Sequence, residues 1–239
     1  MCFYLPNNTL IDAGNIFALE KSELILIKNI VLTHSHFDHI CDVPFLVDYT
    51  INEREEPIKI YGLPETLEAL KKNIFNETIW PAFDKIKLSK SGKSTMEYLE
   101  IFPYKEFYLE GYKIFPISSN HTVPTISLVV KRGERGFAYT SDTFKNPIFW
   151  DFVKKDNQIK TVFVDISFPS SKEEIANVSL HNTVRTLLED ISNLERKNLR
   201  IYAVHLKPTY EKEIIQEIDG LRKEGVRIRP LVGKKRFSL

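Results

Sequence analysis

The stretch Thr33-His34-Ser35-His36-Phe37-Asp38-His39 places three imidazoles and a carboxylate directly after the apolar run Ile30-Val31-Leu32. Imidazole and carboxylate suit zinc and its first-row neighbours, and catalytic zinc sites take about three protein ligands while keeping a position open for water. One ion cannot use all four groups comfortably. Residues 34 and 36 share a face of an extended segment, whereas the adjacent Asp38 and His39 must diverge from a turn. The spacing therefore predicts two neighbouring metals, with His34 and His36 on one and Asp38 and His39 on the other. The competing reading, a solvated polar loop, would suit a lone histidine better than a cluster of this density.

The other histidines follow the same logic. Lys113-Ile114-Phe115-Pro116-Ile117 reads as a strand that delivers His121. Ile126 to Val130 and Phe137 to Thr140 read as a hairpin around Arg132 to Gly136, whose second strand ends at Asp142. Two more strands, Thr161 to Asp165 and Ile201 to His205, each end in a potential donor. Sites in α/β folds are built at such carboxyl ends. With Asp142 as a carboxylate able to bridge two cations, His34, His36, His121 and Asp142 would bind one ion, and Asp38, His39, Asp142 and His205 the other. Paired metals about 3.5–4 Å apart acidify water and clamp the oxygens of an in-line displacement, so acyl or phosphoryl hydrolysis is expected. His181 is spare in this ligand count and is the candidate general acid, with Asp165 fixing its tautomer. The alternative for His181 is a helix-start histidine bonded to backbone.

The positioning elements alternate. Thr9 to Gly14 reads as a short strand and turn, with Asp12 available to orient the metal loop and Gly14 allowing the reversal. A helix is expected from Val43, a strand over Ile58 to Tyr61, and a helix over Pro64 to Phe75 with Leu67, Leu70 and Ile74 on one face. Val184, Leu187, Leu188 and Ile191 form the apolar face of a helix after His181. A last helix runs from Tyr210 to about Glu224, with Gly225 as its stop. Residues 76 to 111 are the least regular part and the candidate insertion or lid. Trp80, Phe83, Phe102 and Tyr104 there are either substrate-stacking or, more simply, local packing. Nothing marks a second domain, so one α/β domain over residues 1–239 is expected.

Composition narrows the class. The 239 residues are 43% hydrophobic, which is enough to bury a core. Lys plus Arg number 33 against 32 Asp plus Glu, a net charge of +1 that gives no general argument for a nucleic-acid or membrane partner. Cys2 and Cys41 exclude a disulfide framework. No apolar run approaches a membrane span and residues 1 to 15 lack a signal-peptide pattern, so a cytoplasmic protein is the expectation.

The His34–His39 motif, preceded by Leu10-Ile11-Asp12-Ala13-Gly14 and followed by His121, Asp142 and His205, resembles the metallo-β-lactamase superfamily. That resemblance implies a four-layer αβ/βα sandwich of two mixed sheets with outer helices. Ile74-Phe75-Asn76 with Ile79-Trp80-Pro81, Ile166-Ser167-Phe168-Pro169 and His205-Leu206-Lys207-Pro208 are similar to class II 3′,5′-cyclic-nucleotide phosphodiesterases. The Asp165 to His181 arrangement also resembles tRNase Z, where a Glu stands in place of Asp165; the shorter side chain shortens the reach. Two departures stand out: Phe37 and Asp42 replace the Leu and the Gly or Ser of the class II pattern, and extra strands are implied before Asp12, which leaves the native start open.

The resemblance implies a dinuclear metal phosphodiesterase of cyclic nucleotides, with Asp38, His181 and Asp165 as catalytic residues and two divalent ions, zinc first and manganese or iron(II) next. Its partner would be a small nucleotide, a nucleic acid only under the tRNase Z-like alternative, and no membrane; a homodimer stays open. A non-catalytic metal-binding interaction protein is the third reading.

Overall fold

The computed structural model describes residues 1–196, 198–223 and 227–237. The chain divides into two compact units, Met1–Phe102 and Pro103–Leu239, each with its own sheet. The end of the last helix near Glu224 and its Gly225 stop lie outside the described residues.

The first unit carries a five-stranded sheet in sequence order: β1 (Phe3–Leu5), β2 (Thr9–Ile11), β3 (Asn29–Val31), β4 (Ile58–Gly62) and β5 (Met96–Glu100). β1 and β2 are antiparallel and the remaining pairs parallel. Parallel neighbours need crossovers, which here contain α1 (Lys21–Leu26), α2 (Phe37–Ile40), α3 (Val43–Thr50) and α4 (Pro64–Asn73). Each helix has a local cause. Glu20 and Glu23 form a capping box at α1. Pro44 sits in the first turn of α3 and Pro64 opens α4, where Lys71 and Lys72 complement the carboxyl-terminal dipole. Leu10, Ile30, Leu32, Leu46, Ile58, Ile60, Leu67 and Leu70 make the buried core of this unit. Phe75 and Phe83 pack into it, ring to ring at 6.3 Å, so these two aromatics are packing residues.

The second unit carries seven strands in the order β12-β11-β10-β9-β8-β7-β6. They are β6 (Phe107–Leu109), β7 (Tyr112–Ser118), β8 (Ile126–Arg132), β9 (Arg135–Tyr139), β10 (Ile159–Asp165), β11 (Arg200–Val204) and β12 (Ile228–Pro230). β6 to β9 form an antiparallel meander; β9 to β12 run parallel. α5 (Pro147–Lys155), α6 (Glu173–Ser179), α7 (Val184–Asp190) and α8 (Glu211–Lys223) complete it. The β10 run Thr161–Asp165 is buried throughout, the signature of a strand covered on both faces. Val162, Val164, Ala203, Val184, Leu187, Ile214 and Ile218 share one core, which confirms the apolar face expected for α7 and turns Ile214 and Ile218 of α8 inward. Among the described residues no helix is long and apolar enough to cross a membrane.

Candidate metal centre

In the first unit, β3 ends at Val31 and hands the chain to the histidine motif. His34 and His39 are fully buried, His36 half-buried, and the Asp38 side chain exposed. The ring centroids of His34 lie 4.8 Å from His36 and 4.2 Å from His39. His39 Nε2 stands 3.8 Å from Asp38 Oδ2.

Buried Asp12 organises this cluster. Its Oδ1 accepts the Thr33 N–H at 2.8 Å, and its carboxylate accepts the Thr33 hydroxyl at 3.0 Å. His39 Nδ1 lies 2.8 Å from Oδ2 and donates there, which leaves Nε2 as the lone-pair nitrogen. With its one proton given to Asp12, the Thr33 hydroxyl accepts from His34 Nδ1 at 3.0 Å, so His34 likewise turns Nε2 outward. Hydrogen bonds of this kind to the distal ring nitrogen orient metal-binding histidines. Gly14 does its work differently from the expected reversal. Its φ is not in the left-handed region, but a Cβ there would meet Asp38 O at 1.6 Å, so glycine allows the first turn to lie against the metal loop. Asp42 joins the same clasp by accepting the Ile16 N–H at 2.9 Å.

In the second unit, four donors converge. Single ligand atoms of Asp142, Asp165, His181 and His205 all lie within 4.8 Å of one another, and all four residues are buried or half-buried. β9 leads to Asp142 through Ser141, β10 ends in Asp165, and β11 leads to His205. Ser141 and His205 adopt φ of 53° and 61°, so the chain turns sharply at these strand ends. His121 Nδ1 donates to Leu180 O at 3.0 Å, and its Nε2 lies 3.9 Å from Asp142 Oδ2. His181 Nδ1 donates to Asp165 Oδ2 at 2.8 Å, so the short carboxylate reaches the ring directly. His205 stacks on His181 with centroids 5.4 Å apart. Burial pushes the Asp165 carboxyl up, but the charge and the hydrogen bond of His181 outweigh it and leave the pKa at about 2.

The donor chemistry fits divalent transition metals. Ligand bonds of about 2.0–2.2 Å put two ligands of one ion no more than about 4.4 Å apart. The His39–Asp38 and His121–Asp142 separations meet that limit within their own units. Sequence reasoning passed over two contributors, the Thr33 hydroxyl and the Leu180 carbonyl. Trp80 is half-buried and packs edge-on against Phe45 at 5.3 Å.

Two sheets, each mixing parallel and antiparallel strands, with helices and with donors at strand ends, define the metallo-β-lactamase fold. Yeast PDE1 superposes with a TM-score of 0.74 at 22% identity, covering 89% of this chain and 69% of that one. The metallo-β-lactamase fold protein YhfI from Bacillus subtilis gives 0.72 at 15% identity over 96% and 87% of the two chains. More particularly, the family described as cAMP phosphodiesterases class-II matches residues 20–132, and this chain is similar to that family there. The 3′,5′-cyclic-nucleotide phosphodiesterase 1 of Saccharomyces cerevisiae is 26% identical over 234 residues, 83% of this chain and 62% of that protein. The ribonuclease Z of Pyrococcus abyssi is 28% identical over 122 residues, 50% of this chain and 36% of that one. The chain thus spans less than two thirds of either relative.

Proposed function

We propose that this chain is a dinuclear metal-dependent phosphodiester hydrolase acting on 3′,5′-cyclic nucleotides. The convergence of Asp142, Asp165, His181 and His205 is the observation that carries the reading, because it joins ligand-type donors to a histidine–carboxylate pair. The similarity to class-II cAMP phosphodiesterases over residues 20–132 supports the substrate class. In this reading His34, His36, His121 and Asp142 hold one ion, and Asp38, His39, Asp142 and His205 the other, with zinc first and manganese or iron(II) next. Bound there, such ions supply acidified water and offset charge on the phosphate oxygens.

The chain's own residues then divide the remaining work. Asp12 holds His39 and Thr33 in place, and the Leu180 carbonyl does the same for His121. Asp165, ionised above about pH 2, accepts the His181 Nδ1–H at 2.8 Å and so fixes the ring with Nε2 facing away from it. His181 presents a proton at Nε2 to the departing ribose oxygen. An endoribonuclease of the tRNase Z kind is the second reading, favoured by the ribonuclease Z match.

Metal-replete protein assayed side by side on cyclic AMP and on a precursor tRNA separates the readings. Turnover of the cyclic nucleotide with close to two metal ions per chain by elemental analysis is the expected result. Cleavage of the RNA alone transfers the assignment to the second reading. Inactivity on both, with metal retained, leaves a non-catalytic metal protein.

A further inference from the structure

One buried hydroxyl among these donors has no task in that reading. Ser167 is fully buried, two residues beyond Asp165. Its Oγ lies 2.7 Å from Asp165 Oδ1, 2.9 Å from His205 Nδ1, 3.2 Å from His181 Nδ1 and 3.2 Å from His205 O. A hydroxyl has one proton to give and two lone pairs to receive with. The nearest acceptor is the carboxylate oxygen, and a hydrogen bond to a charged acceptor is the stronger one. Once the proton goes to Asp165 Oδ1, Ser167 meets the imidazoles only as an acceptor. His181 Nδ1 has a closer partner in Asp165 Oδ2 at 2.8 Å, whereas His205 Nδ1 stands 3.5 Å from Asp142 Oδ1 and 3.6 Å from Asp165 Oδ1 but 2.9 Å from Ser167 Oγ, which makes His205 the donor to Ser167.

The backbone holds the serine where this count requires it. Ser167 N–H donates to Asn182 O at 3.1 Å, beside His181, and Ser167 O accepts the Lys207 N–H at 3.4 Å, two residues past His205. The serine is therefore strapped to both histidine-bearing segments.

We propose that Ser167 is a positioning residue: its hydroxyl links His205 to the carboxylate that also holds His181, fixing the His205 proton on Nδ1 and leaving Nε2 to bind metal. The consequence for turnover rests on the phosphodiesterase reading; the consequences for tautomer and metal affinity do not.

Imidazole nitrogen resonances of isotope-labelled, zinc-loaded protein test it first. His205 and His181 should both carry a proton on Nδ1, and a His205 proton on Nε2 overturns the proposal with no variant needed. Ser167→Ala should then weaken binding of one metal ion by about 10- to 100-fold in competition with a chelating dye. In the metal-free variant the His205 proton should redistribute toward Nε2, with thermal unfolding reporting that the fold is kept. Ser167→Thr, which retains the hydroxyl, should restore the tautomer. A folded Ser167→Ala protein with wild-type affinity and an unchanged His205 tautomer overturns the proposal. Wild-type protein that shows these tautomers yet cleaves no phosphodiester supports it, and counts against the phosphodiesterase reading alone.

Discussion

Asp12, Ser141, Leu180 and His205 all have φ between 51° and 61°, a region costly for residues with a Cβ. Each is a donor, precedes one, or holds one through its carboxylate or carbonyl, so backbone strain of about 1–3 kcal/mol apiece falls here where side chains must be aimed. His181 gives the sharpest test at this scale. A metal ligand holds charge in ground and transition states alike, whereas a general acid acts only as the leaving oxygen gathers charge. His181→Ala should keep its metal while kcat on a cyclic nucleotide falls about 10²- to 10⁴-fold. The deficit should shrink on bis(p-nitrophenyl) phosphate, whose leaving group hardly needs a proton. Loss of metal, or an equal loss on both substrates, would reassign the residue. The histidines were legible in the sequence because the residue is scarce here and every copy but His181, which lies between α6 and α7, follows a strand or lies in the motif. Ser167 was not legible, because a serine after a strand is an ordinary turn residue. Nor was the Leu180 carbonyl, since a backbone acceptor leaves no mark on residue type.

At the scale of elements, strands with long apolar runs declared themselves, and β7, β8, β9, β10 and β11 fall where the pattern put them. β1, β6 and β12 have three residues each, too few for a period to show. β5 was hidden in the irregular stretch after residue 76, yet Met96–Glu100 pairs parallel with the whole of β4. Junctions between elements carry two predictions. Gly14→Ala pushes a methyl into the Asp38 carbonyl, and backbone on both sides must shift. A loss of about 1–3 kcal/mol is expected with weakened metal binding, read by thermal unfolding and metal titration together. An unchanged protein would mean that the two turns are free to separate. Arg196 seals the other kind of junction, since its guanidinium donates to the carbonyls of Val153, Asp156 and Ile159 where α5 ends and β10 begins. Arg196→Met keeps the apolar stem and removes all three bonds. Urea unfolding should show a loss of about 2–3 kcal/mol at unchanged slope, and a loss under about 0.5 kcal/mol would show that water replaces the guanidinium freely.

For the molecule as a whole, the balance of 33 basic against 32 acidic residues decides which substrates the chain can attract from a distance. A small cyclic nucleotide presents one phosphodiester charge and needs local contacts, whereas a structured RNA must be gripped along its backbone. Each phosphate neutralised on a nucleic acid makes affinity fall with salt, and 6–10 such contacts lose about 10³- to 10⁵-fold between 50 and 200 mM. A single phosphate contact obeying the same slope loses no more than about fourfold over that range. The cyclic-nucleotide reading therefore predicts that kcat/KM on cyclic AMP stays within about fourfold between 50 and 200 mM potassium chloride, with kcat nearly constant. The measurement is a substrate titration at each salt concentration on one metal-loaded preparation. A fall of a hundredfold or more on the cyclic nucleotide would contradict single-phosphate recognition. A precursor tRNA cut efficiently at 50 mM and hardly at 200 mM would instead reveal an extended basic track that the net charge conceals, and would move the assignment toward the ribonuclease reading.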